Sequence, residues 1–212
     1  MGWTEGYMKQ NKCPNKIYFN DVVDLHKVFY FHIRMAEALF SDLKKAIDIL
    51  TTAQGHPSLH PHQVKMLEFL VSGENSVSQL PCGAGKSYPA ICVPQVLDIL
   101  RDTFHHDFPI ETRVLLIVPL VNIFHSLELD LIRLDIPYQI MSAGTGSQVN
   151  PQAKVVVISP EKLMEKSTLK SITSLAWSAI SLDEPHLALG RFKVIEMLLV
   201  RAECLRCPWL LA

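Results

Sequence analysis

After Gly73, short apolar runs and helical stretches take turns along the chain, and few folds accommodate that order. The runs Ser76–Leu80, Arg113–Val118, Lys154–Ile158, Ala179–Leu182 and Trp209–Leu211 have strand length and are apolar on both faces, as buried parallel strands are. Between most of them lie stretches with helical character: Ser87–Leu100, Leu120–Leu134, Pro160–Lys166 and Arg191–Glu203. Strand and helix in alternation predict an α/β fold, a parallel β-sheet sandwiched by helices. A different pattern precedes it. From Asp21 to Leu50 apolar residues recur at helical spacing (Val22, Leu25, Phe29, Ile33, Ala36, Phe40, Leu43, Ile47, Leu50), which predicts a long amphipathic helix or a helical pair. Gly55-His56-Pro57 ends it, and Pro61 opens a further helix over His62–Val71, where a missing N–H costs no backbone bond. A helical N-terminal extension, residues 1–58, followed by an α/β domain, residues 59–212, is therefore expected.

A chain of 212 residues, 49% apolar and 19% charged, has the material for such a core. Lys plus Arg number 20 against 21 Asp plus Glu, so contact with a polyanion must rest on a local patch and not on overall charge. The five cysteines (Cys13, Cys82, Cys92, Cys204, Cys207) are odd in number and have no framework spacing. That points to a reducing compartment, nuclear or cytoplasmic, with the nucleus favoured in a eukaryote. Residues 1–10 lack the basic start and apolar run of a signal peptide, and the myristoylation pattern fails at position 6. The longest apolar stretch, Val114–Phe124, is too short to span a bilayer, so a soluble protein is expected.

Pro81-Cys82-Gly83-Ala84-Gly85-Lys86-Ser87 stands between a strand and a helix. Glycines there let the backbone curl so that several N–H groups face phosphate oxygens, and the helix N-terminus adds partial positive charge. Lys86 can reach the β- and γ-phosphates, and the Ser87 hydroxyl is placed to hold Mg²⁺. The strict pattern would have a glycine where Leu80 stands. A magnesium nucleotide site also needs a carboxylate at the end of a neighbouring strand, and Ala179-Ile180-Ser181-Leu182-Asp183-Glu184 supplies one. Asp183 is expected to hold the metal and Glu184 to polarise the attacking water.

Together these segments resemble a superfamily-two helicase, most closely its RecQ-like branch. Leu80 to Ser87 is similar to that branch's first motif, in which an apolar residue and proline precede the glycines, so Leu80 matches the family. Asp183-Glu184-Pro185-His186 resembles the DEAH form of the second motif, and Pro61-His62-Gln63 the glutamine motif that reads adenine. Val118-Pro119-Leu120 and Ser159-Pro160-Glu161-Lys162-Leu163 resemble elements that touch the nucleic-acid backbone; Gly144-Thr145-Gly146 reads as a loop, in a region that approaches that backbone in the family. The resemblance covers roughly Leu59 to Ala212. It implies a RecA-like P-loop domain that binds ATP and Mg²⁺ and translocates on nucleic acid, DNA rather than RNA. Lys86, Asp183, Glu184 and His186 would be catalytic. Gln63, Pro81, Cys82, Gly83, Ala84, Gly85, Lys86 and Ser87 would bind nucleotide, with Ser87 and Asp183 on the metal.

The sequence also departs from that family. Pro185 stands where the family has alanine, favours extended geometry at Glu184 and removes an N–H. Leu187-Ala188-Leu189-Gly190-Arg191-Phe192 is shorter and less aromatic than the family's coupling loop, and the Asp-Gln after the Pro-Leu element is replaced near Ser126 and Leu127. The chain ends at Leu211-Ala212, before the expected Ser/Thr-Ala-Thr motif and a second RecA-like lobe in cis. That lobe would bring an arginine finger worth roughly 10³–10⁵ in rate, so one lobe alone is expected to hydrolyse ATP very slowly.

Other features point elsewhere. Cys204-Leu205-Arg206-Cys207 lacks a second ligand pair for zinc. His56, His60, His62, His105 and His106 have no ligand spacing and are expected in solvated loops, and Phe29, Tyr30, Phe31 and Phe40 are expected to pack. Three readings stay open: an ATP-dependent DNA helicase lobe, a nucleotide- or nucleic-acid-binding module from a truncated or degenerate helicase, and an unrelated P-loop NTPase. Gln63 and the Asp-Glu-Pro-His order weigh against the third.

Overall fold

The computed structural model describes residues 25–53, 57–73, 83–120 and 122–183. The strands expected at Ser76–Leu80 and Trp209–Leu211, the helix at Arg191–Glu203 and the Cys204–Cys207 pair lie outside the described residues. The chain divides into two compact units, residues 1–35 and 36–212. Of the first, the described part is the opening of helix α1 (Leu25–Ala53). All that follows concerns the second.

Apolar spacing explains each helix and the face it buries. In α1, Leu43, Ala46, Ile47 and Leu50 form a buried i, i+3, i+4, i+7 stripe, so this part of the expected extension packs into the α/β core. α2 (Pro61–Ser72) starts on proline and stops at Gly73, whose left-handed φ of 73° lets its N–H return to the Phe69 carbonyl. α3 (Ser87–Phe104) buries Pro89 to Pro94, Val96, Leu97, Ile99 and Leu100, as a helix covered on nearly every side must. It runs one turn beyond the expected Leu100 and ends on His105, whose φ of 59° brings its N–H to the Arg101 carbonyl.

Four strands form one sheet: β1 (Val114–Ile117), β2 (Tyr138–Met141), β3 (Val155–Ile158) and β4 (Ala179–Leu182). Their order is β2-β3-β1-β4 and every pairing is parallel. Three of the four sit where apolar runs place them. The structure adds β2, whose half-buried Tyr138, Gln139 and Ile140 give a weaker signal than the fully buried β1 and β3.

Side chains alternate across the sheet with period two and divide the core into two layers. Val114, Leu116, Val118, Val155 and Val157 meet α1, α2, α3 and α4 (Asn122–Arg133). Leu115, Ile117, Val156 and Ile158 meet Leu163 and Ile172 on the opposite face. These last two belong to α5 (Pro160–Leu163) and α6 (Lys166–Thr173), which replace the single helix expected over Pro160–Lys166. The break falls at Glu165, whose extended backbone caps α6. The result is an α/β fold, a four-stranded parallel sheet flanked by helices on both faces.

Candidate nucleotide site

Parallel strands bring their C-terminal ends to one edge of the sheet, where open α/β folds bind ligands. Backbone bonds carry the ladder one step past the strands there. The Asp183 N–H donates to the Ile117 carbonyl at 2.9 Å, that of Val118 to Ile158 at 2.9 Å, and that of Ser159 to Met141 at 3.1 Å. Asp183 is thereby fixed at the end of β4.

The glycine loop lies beside it. Gly83 and Gly85 have left-handed φ of 80° and 70°, whereas Lys86 is helical at −57° and leads into α3. Residues of alternating hand turn successive N–H groups to one side, the geometry of an anion cradle. Gly85 also lies close to α2: a Cβ there would stand 2.5 Å from the Gln63 Nε2, and the end of that side chain would have to shift. At the first residue of α3, the Ser87 hydroxyl donates to Asp183 Oδ2 at 3.3 Å, joining groups 96 positions apart. A hydroxyl and a carboxylate are hard oxygen donors, the set Mg²⁺ takes when phosphates and waters complete its shell. Among the described residues no group of three or more His, Cys, Asp or Glu could hold a metal.

The first turn of α2 meets the loop from the other side. Gln63, 6% exposed, accepts the His60 N–H on Oε1 at 2.9 Å and donates from Nε2 to the Gly85 carbonyl at 3.1 Å. His62 Nε2 lies 3.0 Å from the Ala84 carbonyl. A carbonyl can only accept, so this ring carries a proton on Nε2. The rings of His60 and His62 stack with centroids 5.5 Å apart.

Of the expected site residues, the structure gathers Gln63, Gly83, Ala84, Gly85, Lys86, Ser87 and Asp183 in one region. Pro81, Cys82, Glu184, Pro185, His186 and the Leu187–Phe192 loop lie outside the described residues. His62 is an addition. It is half-buried and engaged, not a solvated loop histidine, and nothing in its local sequence separates it from His60. His106 is likewise engaged, with Nε2 3.1 Å from Asp42 Oδ2. Phe40 packs against the core as expected.

A second cluster follows β2 and β3. Gly144, at φ 85°, permits a tight turn in which the Thr145 hydroxyl accepts from the Ser142 N–H at 3.0 Å and donates to the Ser142 carbonyl at 2.8 Å. Lys162, only 3% exposed, donates to the Thr145 carbonyl and to Glu165 Oε2, both at 2.7 Å. That bond from Lys162 holds the Glu165 carboxyl below its ordinary range. The ammonium of Lys162 thus ties the turn to α5 and is not presented at the surface. Elsewhere, burial pushes the Cys92 thiol up to about 12, which keeps it neutral and a poor nucleophile. Among the described residues no helix is long and apolar enough to cross a membrane.

Comparison of the chain with protein-family models and with curated protein sequences gave no match.

Proposed function

We propose that this chain is the ATP-binding lobe of a RecQ-like, superfamily-two DNA helicase with a RecA-like fold, completed by a second lobe in cis. The observation that carries the reading is the 3.3 Å approach of the Ser87 hydroxyl to Asp183, beside a left-handed glycine loop at the C-terminal edge of a parallel sheet. In this reading the loop amides cradle the phosphates and Lys86 neutralises the β- and γ-oxygens. Ser87 and Asp183 hold Mg²⁺, which when bound draws charge from the phosphate chain. Glu184 orients water, and His186 completes the motif.

The test is ATP binding to the full chain by calorimetry, with and without Mg²⁺. Lys86→Ala is expected to weaken ATP roughly tenfold to a hundredfold, the range for hydrogen bonds to a charged group. Asp183→Asn is expected to abolish the gain in affinity from Mg²⁺. Unchanged ATP binding in Lys86→Ala would sink the nucleotide reading.

A second reading, a module that binds nucleotide without turning it over, is favoured by Pro185. A longer chain carrying a second lobe separates the two: ATPase activity stimulated by single-stranded DNA supports the helicase. Turnover that appears only with Pro185→Ala supports the degenerate module.

A further inference from the structure

β2 is the outermost of the described strands on its side of the sheet, and half of its backbone faces away from β3. The Val155 N–H donates to the Pro137 carbonyl and the Ser159 N–H to the Met141 carbonyl, both at 3.1 Å. Bonding residues alternate along such a ladder. Gln139 and Met141 therefore turn their backbone groups toward β3, while Tyr138 and Ile140 turn theirs outward. Among the described residues nothing hydrogen-bonds to the outward groups. We propose that this edge is the interaction surface for a second copy of the chain, whose own β2 pairs with it antiparallel across a two-fold axis at Gln139.

The wall above the edge is apolar. Glu128 accepts the Tyr138 hydroxyl at 2.9 Å, which sets that flank of α4 over β2, whereas Asp130 and Arg133 lie near Tyr88 of α3. One turn on from Glu128, Ile132 stands on the β2 flank and is 58% exposed; Leu129, next to Glu128, is 54% exposed. Tyr138 and Ile140 are half-buried on the face of the sheet that α4 covers. No charge stands in β2 (Tyr138, Gln139, Ile140, Met141) to turn an incoming strand away.

The edge is its own complement. About an axis at Gln139, Tyr138 meets the partner's Ile140 and Ile140 the partner's Tyr138, and each pair exchanges both N–H···O bonds. An aromatic beside a β-branched side chain is a favourable cross-strand pair. The two α4 helices then lie on the same side of one continuous sheet, with Ile132 between them, and every contact is made twice. A net charge of −1 gives the copies little to repel. Size argues the same way. A standard interface takes roughly 800 Å² and roughly 20–30 residues a side. A strand of 4 residues and one flank of a 12-residue helix supply well under half of that. So small a patch suits a weak, concentration-dependent pairing of like edges and not a tight complex with another protein. The axis runs beside the strands and not across their C-terminal ends, so the proposal does not rest on the nucleotide reading.

The experiment uses the full chain at rising concentration. Sedimentation velocity should show a reversible monomer–dimer equilibrium, half-dimeric at about 0.1 mM, as a patch below standard size predicts. Hydrogen exchange at the Tyr138 and Ile140 amides should be fast at about 1 μM and at least about tenfold slower where dimer predominates. Ile132→Lys puts a charge into the pairing flank at an exposed position and should weaken the dimer at least about tenfold. Ser126→Lys adds the same charge on the α3 flank and should leave the dimer unchanged. Slow exchange at Leu115 and Leu116 in each variant shows that the fold is kept.

A chain that stays monomeric to about 1 mM overturns the proposal. So does a dimer that forms equally well in Ile132→Lys, or one that leaves the Tyr138 and Ile140 amides in fast exchange, since the contact then lies on another face. Protection of those two amides at about 1 μM overturns it as well, because the chain's own residues would then cover the edge.

Discussion

At the N-terminal end of the sheet, Asp98 of α3 gathers three partners. The Thr112 hydroxyl donates to it at 3.0 Å, Arg101 lies 3.1 Å away, and Lys154 at the foot of β3 pairs with its other oxygen. Next to it the buried Arg113 donates to the Pro151 carbonyl at 2.7 Å and to Glu111 at 2.8 Å. At the C-terminal end the links include His62 to Ala84, Gln63 to Gly85 and Ser87 to Asp183. The first end ties a helix and two strand entries together through charge. The second holds a glycine loop by its carbonyls and brings a hydroxyl and a carboxylate to the edge where open α/β folds bind ligands. Stability and binding should therefore separate between the two ends of one sheet.

The largest expected effect tests the stable end. Asp98→Ala strips partners from Thr112 and Lys154 and should cost about 2 kcal/mol, seen as a lower denaturant midpoint, with ATP affinity unchanged. An equal loss of ATP affinity would break the comparison. Ser87→Ala is the converse. It should weaken Mg²⁺-dependent nucleotide binding about tenfold, a loss of about 1.4 kcal/mol, while stability stays within about 0.5 kcal/mol. A large fall in stability would mean that the contact with Asp183 is structural.

The smallest effect sharpens the comparison at the 142–147 turn, which shares the C-terminal edge but is fixed by a charge. The Glu165 carboxyl is depressed in the folded protein, so its contribution is present above the unfolded value of 4.5 and is lost as pH falls through the lower folded value. Glu165 is exposed, and the consequence should be local and small. Exchange of the turn amides, corrected for intrinsic rate, should rise modestly below pH 4.5 in the wild type and be insensitive to pH in Glu165→Gln. Equal pH dependence in both would remove Glu165 from the account of this turn.

Much of this molecule is legible from local pattern. The unbroken apolar runs at Val114–Ile117 and Val155–Ile158 are buried on both faces, and such strands announce themselves by composition alone. β2 escaped because Tyr138 and Gln139 are only half-buried and polar atoms there find partners, Glu128 for Tyr138 and the Gln148 carbonyl for Gln139. The split between α5 and α6 escaped because it depends on Glu165, whose role is set by Lys162 and Ser147. In the site, Gly83 to Ser87 and Asp183 carry their chemistry in their residue types. His62 does not, since a histidine in a helix's first turn looks the same whether it meets solvent or a carbonyl.

By itself the sequence determined the alternation of strand and helix, the turn that needs left-handed glycines, and the presence of a lysine, a hydroxyl and a carboxylate suited to a magnesium nucleotide. Those are properties of neighbouring residues, and short-range sterics and burial express them. Only the tertiary structure decided the strand order β2-β3-β1-β4, which puts β4 beside β1 and so sets Asp183 against Ser87 across 96 positions. It also decided that His62 and Gln63 face the loop and that Lys162 turns inward to Thr145. Such contacts form between groups far apart in the chain, and their geometry depends on how the helices lie on the sheet, which no local pattern of residues encodes.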